Sequence, residues 1–83
     1  MGFSVVPKIE TVSGCEIHIY AERGRHHRPH VHVVAKDWDL SISIKEQEIL
    51  AGDFPNSKIA NSVTEYIDAH TNDLLQVWDD WND

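Results

Sequence analysis

One cysteine, seven basic residues and no apolar run close to a bilayer-spanning length set the first limits on this 83-residue chain. Cys15 has no second thiol to pair with, so no internal disulfide staples the fold and a reducing compartment is expected. A membrane helix needs about 20 apolar residues in succession, and the N-terminus lacks the charged and apolar regions of a secretory signal. A cytoplasmic protein with no membrane contact is the expectation. Fourteen acids leave a net charge of −7. That balance argues against a surface made for general nucleic-acid binding, which works by displacing counterions from phosphates with a basic face. Repeats, low-complexity tracts and linkers are also lacking, and a chain of this length holds one core, so residues 1–83 are expected to form a single domain.

What basic charge there is falls unevenly. Arg23, Arg25 and Arg28 crowd into one short stretch beside His26 and His27, whereas Lys58 is the sole basic residue after Lys45, among nine acids. One segment is locally basic and the C-terminal part is strongly acidic.

The hydrophobic pattern reads as strands followed by helices. Between Cys15 and Ala21, Ile17 and Ile19 alternate with Glu16, His18 and Tyr20, the period of a half-buried strand. From Pro29 to Lys36 the alternation recurs, with Val31 and Val33 opposed to His30, His32 and Val34. Trp38 to Ile44 makes a third run, Leu40, Ile42 and Ile44 inward and Ser41 and Ser43 outward, joined to the second by a tight turn at Lys36-Asp37. A weaker fourth strand is read over Glu48 to Leu50, ending at Gly52. The piece through Ile9 and Val12 is a candidate edge strand limited by Pro7, with a turn at Ser13-Gly14. After Pro55 the period lengthens: Ile59, Ala60, Val63, Tyr66 and Ile67 form one helical stripe, with Asn56 or Ser57 near its start. Thr71 reads as the cap of a second helix through Leu74, Leu75, Val77, Trp78 and Trp81. The predicted fold is α+β, a small antiparallel sheet of three to four strands followed by two C-terminal helices packed on one face.

Chemistry concentrates on the other face. Pairing the first two strands across the loop from Glu22 to Arg28 sets His18 opposite His32 and Tyr20 opposite His30. His-x-His on a strand aims two imidazoles the same way, and a neighbouring strand supplies a third, so His18, His30 and His32 are candidate ligands for a divalent transition metal, with Glu16 a poorer fourth. The same groups serve equally as ordinary surface polars or as donors to an anion. The loop carrying Arg23, Arg25, His26, His27 and Arg28 has the chemistry of an anion or nucleic-acid contact, because guanidinium forks match phosphate oxygens and Gly24 permits close approach. Its plain alternative is a solvated hairpin tip. A His26 and His30 acid/base pair has no evident nucleophile beside it in the sequence.

The run His26-His27-Arg28-Pro29-His30-Val31-His32 resembles the H-x-x-P-H-x-H signature of short bacterial proteins grouped as domain of unknown function family 4160. The order around it agrees: an Ile-x-Ile-Tyr strand before, a Leu-x-Ile-x-Ile strand after, a Gly-Asp-Phe-Pro turn, and a segment from His70 to Trp78. The likeness carries over to Tyr20, His26, Pro29, His30, His32 and Trp78. It implies a component of a two-gene module of toxin–antitoxin type. The loop departs from the pattern, being longer and Arg-rich with His27-Arg28-Pro29 in place of an Asn-Pro-Pro tripeptide, so an anion contact there belongs to this chain and not to the family.

The leading expectation is a small bacterial binding protein that uses the His/Arg hairpin to contact a protein partner or, weakly, a nucleic acid. One alternative is a metal-dependent or histidine acid/base enzyme of the phosphodiesterase type. Another is an acidic inhibitor or nucleic-acid mimic that uses the carboxylates after Glu46.

Overall fold

A computed structural model describes residues 8–20 and 28–82. Five strands, β1 (Lys8–Val12), β2 (Cys15–His18), β3 (His30–Val34), β4 (Asp39–Ser43) and β5 (Ile49–Gly52), form one antiparallel sheet. They lie side by side in chain order. Two helices follow, α1 (Ser57–Ala69) and α2 (Thr71–Asn82).

The sheet has one strand more than the three to four predicted, because β1 is a full ladder partner of β2. The turn between them explains why. Ser13 and Gly14 have φ of 52° and 82°, the double left-handed geometry of a two-residue hairpin turn whose twist matches that of the flanking strands. Val12 therefore pairs directly with Cys15; Pro7, the feature that weakened the sequence signal, lies outside the described residues.

Register sorts the side chains. Ile17 pairs with Val33, Val33 with Leu40, and Val31 with Ile42, so these residues share the inner face. With Cys15, Ile19 and Ile44 they are fully buried, joined in one core by Val63 and Ile67 of α1 and Leu74 and Trp78 of α2. Each buried aliphatic side chain contributes about 1.5–3 kcal/mol. The apolar alternation is thus borne out on all three central strands.

Asn56 caps α1, its side-chain carbonyl accepting from the Ile59 amide at 2.9 Å. The α1 helix stops at His70, whose φ of −123° leaves the helical range. Thr71 is the first residue of α2, and its role differs from that of an N-cap. Its hydroxyl turns back and donates to the Ile67 carbonyl of α1 at 2.9 Å, while the first α2 amide bond runs from Leu74 to the His70 carbonyl at 2.9 Å. The two helices are therefore locked at a corner with almost no linker.

Burial pushes the Cys15 thiol pKa up, and its side chain is closed off under the core. Reaction with a thiol reagent at pH 8 is expected to be on the order of 10³-fold slower than in denaturant, since only opened molecules react and a stability of ~5 kcal/mol leaves few of them. Ellman's assay with and without urea reads this directly. Equal rates would mean that Cys15 lies outside the core.

Candidate functional site

The outer face carries the polar members of the same ladders. His18 pairs with His32 and His32 with Ser41, which lines up three side chains across β2, β3 and β4; His30 pairs with Ser43 in the next row. The predicted His18–His32 register holds. Tyr20 lies beyond the end of β2, and its ring rests on His32, with centroids 4.2 Å apart, as well as lying 6.0 Å from His18.

The rings form a series. From Tyr20 and His32 it continues to His30, edge-on at 5.0 Å, and from His30 to Trp78 of α2 at 4.8 Å. Trp78 corrects the expectation that all three histidines face away from the helices. His30 is only 7% exposed, because the end of α2 reaches the hairpin end of the sheet and sets an indole against its imidazole. Asn82 holds the helix there: its side-chain amide donates to the Tyr20 carbonyl at 3.2 Å and to the Trp78 carbonyl at 3.1 Å.

Each imidazole is oriented by a contact within the domain. His30 Nδ1 donates to the Arg28 carbonyl at 2.7 Å, which leaves Nε2 as the lone-pair nitrogen of the neutral ring. His18 Nε2 donates to the Glu16 carboxylate at 3.0 Å, so in the neutral ring Nδ1 carries the lone pair. That atom is buried and has no hydrogen-bond partner among the described residues. His32 Nδ1 and the Ser41 hydroxyl share a contact of 3.3 Å. Among the described residues, no group of three or more His, Cys, Asp or Glu side chains is placed to hold a metal ion. The three histidines predicted as ligands share a face, and the Tyr20 ring packs against His32 at 4.2 Å while lying 6.0 Å from His18.

Of the predicted anion-contacting residues, Arg23, Arg25, His26 and His27 lie outside the described residues. Arg28 is described and is engaged. Its guanidinium donates to the Glu48 carboxylate at 2.8 Å on the exposed surface, and that bond, with the negative charges of Glu48 and Glu46, raises its pKa above the ordinary value. Pro29, also from the motif, has no amide proton to offer. Its carbonyl accepts from the Ile44 amide at 2.9 Å and carries the β3–β4 ladder past His30.

Sequence reasoning placed Ser41 and Ser43 outward without linking them to the histidines; the missing step was the β3–β4 register. Ser43 is fully buried, where its hydroxyl accepts the Glu48 amide at 2.8 Å and closes the turn into β5. Nothing in the pattern pointed to Asn82. A cleft of about 330 Å³ lined by Ser13, Asn56, Lys58 and Ile59 contains none of the ring residues.

The class defined by these features is a small antiparallel meander closed by a helical corner, with a series of adjoining rings at one end of the sheet. The family is identified by a sequence match over residues 14–79 to the family described as Domain of unknown function (DUF4160), and the chain belongs to it. The match begins at the turn glycine and takes in all five rings, so β1 lies outside it. No curated protein and no solved structure matches the chain. Among the described residues no helix is long and apolar enough to cross a membrane.

Proposed function

We propose that the protein is the binding component of a two-protein module of toxin–antitoxin type, and that the sheet end bearing His18, Tyr20 and His32 contacts the protein partner. One observation carries this reading. Tyr20 and His32 form a half-buried, ring-lined surface backed by His30 and Trp78, and amphipathic rings held rigid from behind are the side chains that dominate protein interfaces. One nitrogen of each imidazole is engaged within the domain, by Glu16, Arg28 or Ser41, which favours recognition by ring faces over chemistry at a converging point.

Charge favours a protein over a nucleic acid as the partner. Asn82 bonds to the Tyr20 carbonyl, and Asp79 and Asp80 precede it on α2 by only ~5 Å of helix rise or less. The chain as a whole carries a net charge of −7, and that excess of carboxylates repels a polyphosphate backbone.

The test is titration calorimetry of the full chain against the protein encoded by the neighbouring gene. Tyr20→Ala and His32→Ala are each expected to weaken the complex about tenfold or more while leaving the thermal midpoint within a few degrees. Unchanged affinity in both variants would remove the ring surface from the interface. RNA or DNA is expected to bind no better than to an unrelated acidic protein. Tight binding whose log–log salt slope becomes shallower by about one to three counterions in Arg23→Gln/Arg25→Gln/Arg28→Gln would replace this reading with a phosphate contact.

A further inference from the structure

The two edges of the sheet are guarded differently. On β1, Ile9 is the extra residue of a bulge, and α1 packs against the strand. On β5, Leu50 is the extra residue of a bulge, since Ser41 pairs with Ala51 and Ile42 with Ile49, but all four residues of the strand are exposed. Ile42 is 1% exposed, whereas its ladder partner Ile49 is 39% exposed, as is Leu50; these two are the exposed large hydrophobic residues of the described chain. The apolar face of the sheet therefore runs out from under the helices within one strand spacing. Beyond it lies a row of main-chain groups with no neighbouring strand among the described residues. Natural sheets blunt such edges with charge, bulges or a covering element; β5 has the bulge at Leu50, but among the described residues no element covers it.

Charge around this edge says what fits it. Before the strand, Glu48 is taken up by Arg28, and Lys45 lies in the same turn as Glu46. After it the balance is acidic. Leu40 pairs with Gly52, which brings exposed Asp39 and Asp53 to the same rim, and among the described residues neither forms an ion pair. Like charges at a shared rim disfavour the free state and favour an incoming cation. A second copy fits poorly. Antiparallel β5 strands with Ile49 opposite Gly52 of the other chain would set Glu48 against Asp53 at both ends, between chains of net charge −7 each.

We infer that β5 is a docking edge for an extended apolar segment of a partner protein, with a Lys or Arg at the end that lies beside Asp39 and Asp53. Main-chain hydrogen bonds supply the register, Ile49 and Leu50 supply the apolar contact, and the two carboxylates select the basic end. This surface is separate from the ring-lined sheet end and does not depend on that reading.

The experiment uses the ¹⁵N-labelled full chain and a synthetic peptide with five alternating Val and Ile residues flanked by lysines. Addition of the peptide is expected to shift the amide signals of residues 49–52 and slow their hydrogen exchange. Exchanging the lysines for glutamates should weaken binding at least about tenfold, and N-methylating alternate peptide amides should abolish it. Leu50→Glu should lose the peptide, whereas Tyr20→Ala should retain it. Equal binding of the lysine and glutamate peptides, or full binding of the N-methylated one, overturns the inference. Sedimentation showing a dimer without peptide, with the same amides protected, assigns the edge to a second copy and also overturns it.

Discussion

Replacing Trp78 by alanine is expected to lower the free energy of unfolding by about 3–5 kcal/mol, the usual cost of emptying a buried aromatic site. Small domains hold only ~5–15 kcal/mol in total, so this change should move the urea midpoint far toward zero. The cost has two sources. The indole is 6% exposed within the core cluster, and it is also the wall against which His30 packs. Trp81→Ala removes a half-buried ring from the same helix and is expected to cost less than half as much. Urea titrations of the two variants make the comparison, with the His30 ring signals followed by NMR. A Trp78 variant no weaker than the Trp81 variant would mean that α2 does not close the sheet end.

Gly52→Ala is the second large effect expected. Gly52 has φ of 81°, a conformation that costs residues with a Cβ about 1–3 kcal/mol. A Cβ there would also run into the Asp39 carbonyl oxygen and come within 3.0 Å of Leu40 Cα. These atoms are backbone and cannot rotate away, so β5 must shift, and the total cost should reach about 2–4 kcal/mol. Gly14 supplies the control. Its φ is 82°, but nothing lies within 4 Å of its missing Cβ, so Gly14→Ala carries the backbone strain alone. The difference between the two denaturation midpoints isolates the clash. Hydrogen exchange should show lost protection at residues 49–52 with β2 and β3 unchanged. Equal losses at Gly14 and Gly52 would show that the β4–β5 contact is loose.

Much of the architecture was legible because period two is a local signal. Ile17, Ile19, Val31, Val33, Leu40, Ile42 and Ile44 all lie on the buried face that their alternation implied, and His18 faces His32 as hairpin pairing required. Local signals failed where a contact joins distant parts of the chain. The strand β5 was only faint because its bulge breaks the alternation at Leu50. Trp78 was legible as core but not as the cover of His30, since the rotation and reach of α2 depend on the corner at His70 and Thr71 and on the Asn82 contact. The spacing His-x-His correctly put two imidazoles on one face, yet spacing says nothing of Tyr20, which enters the row from outside its own strand. The basic residues from Arg23 to His27 lie outside the described residues, and their role rests on the proposals above.

The neighbour-by-neighbour order of the strands and the long reach of Asn82 have a consequence for the birth of the protein. Each strand of the meander can zip onto the one made just before it, so the sheet needs only short loop closures and can form rapidly as the chain emerges. The clasp between Asn82 and Tyr20 spans 62 residues and must wait for all of α2. A nascent chain therefore passes through a stage in which the meander is complete but His30 is bare and the inner face lacks Leu74 and Trp78. The arrival of the final helical turns then decides when the ring surface becomes rigid.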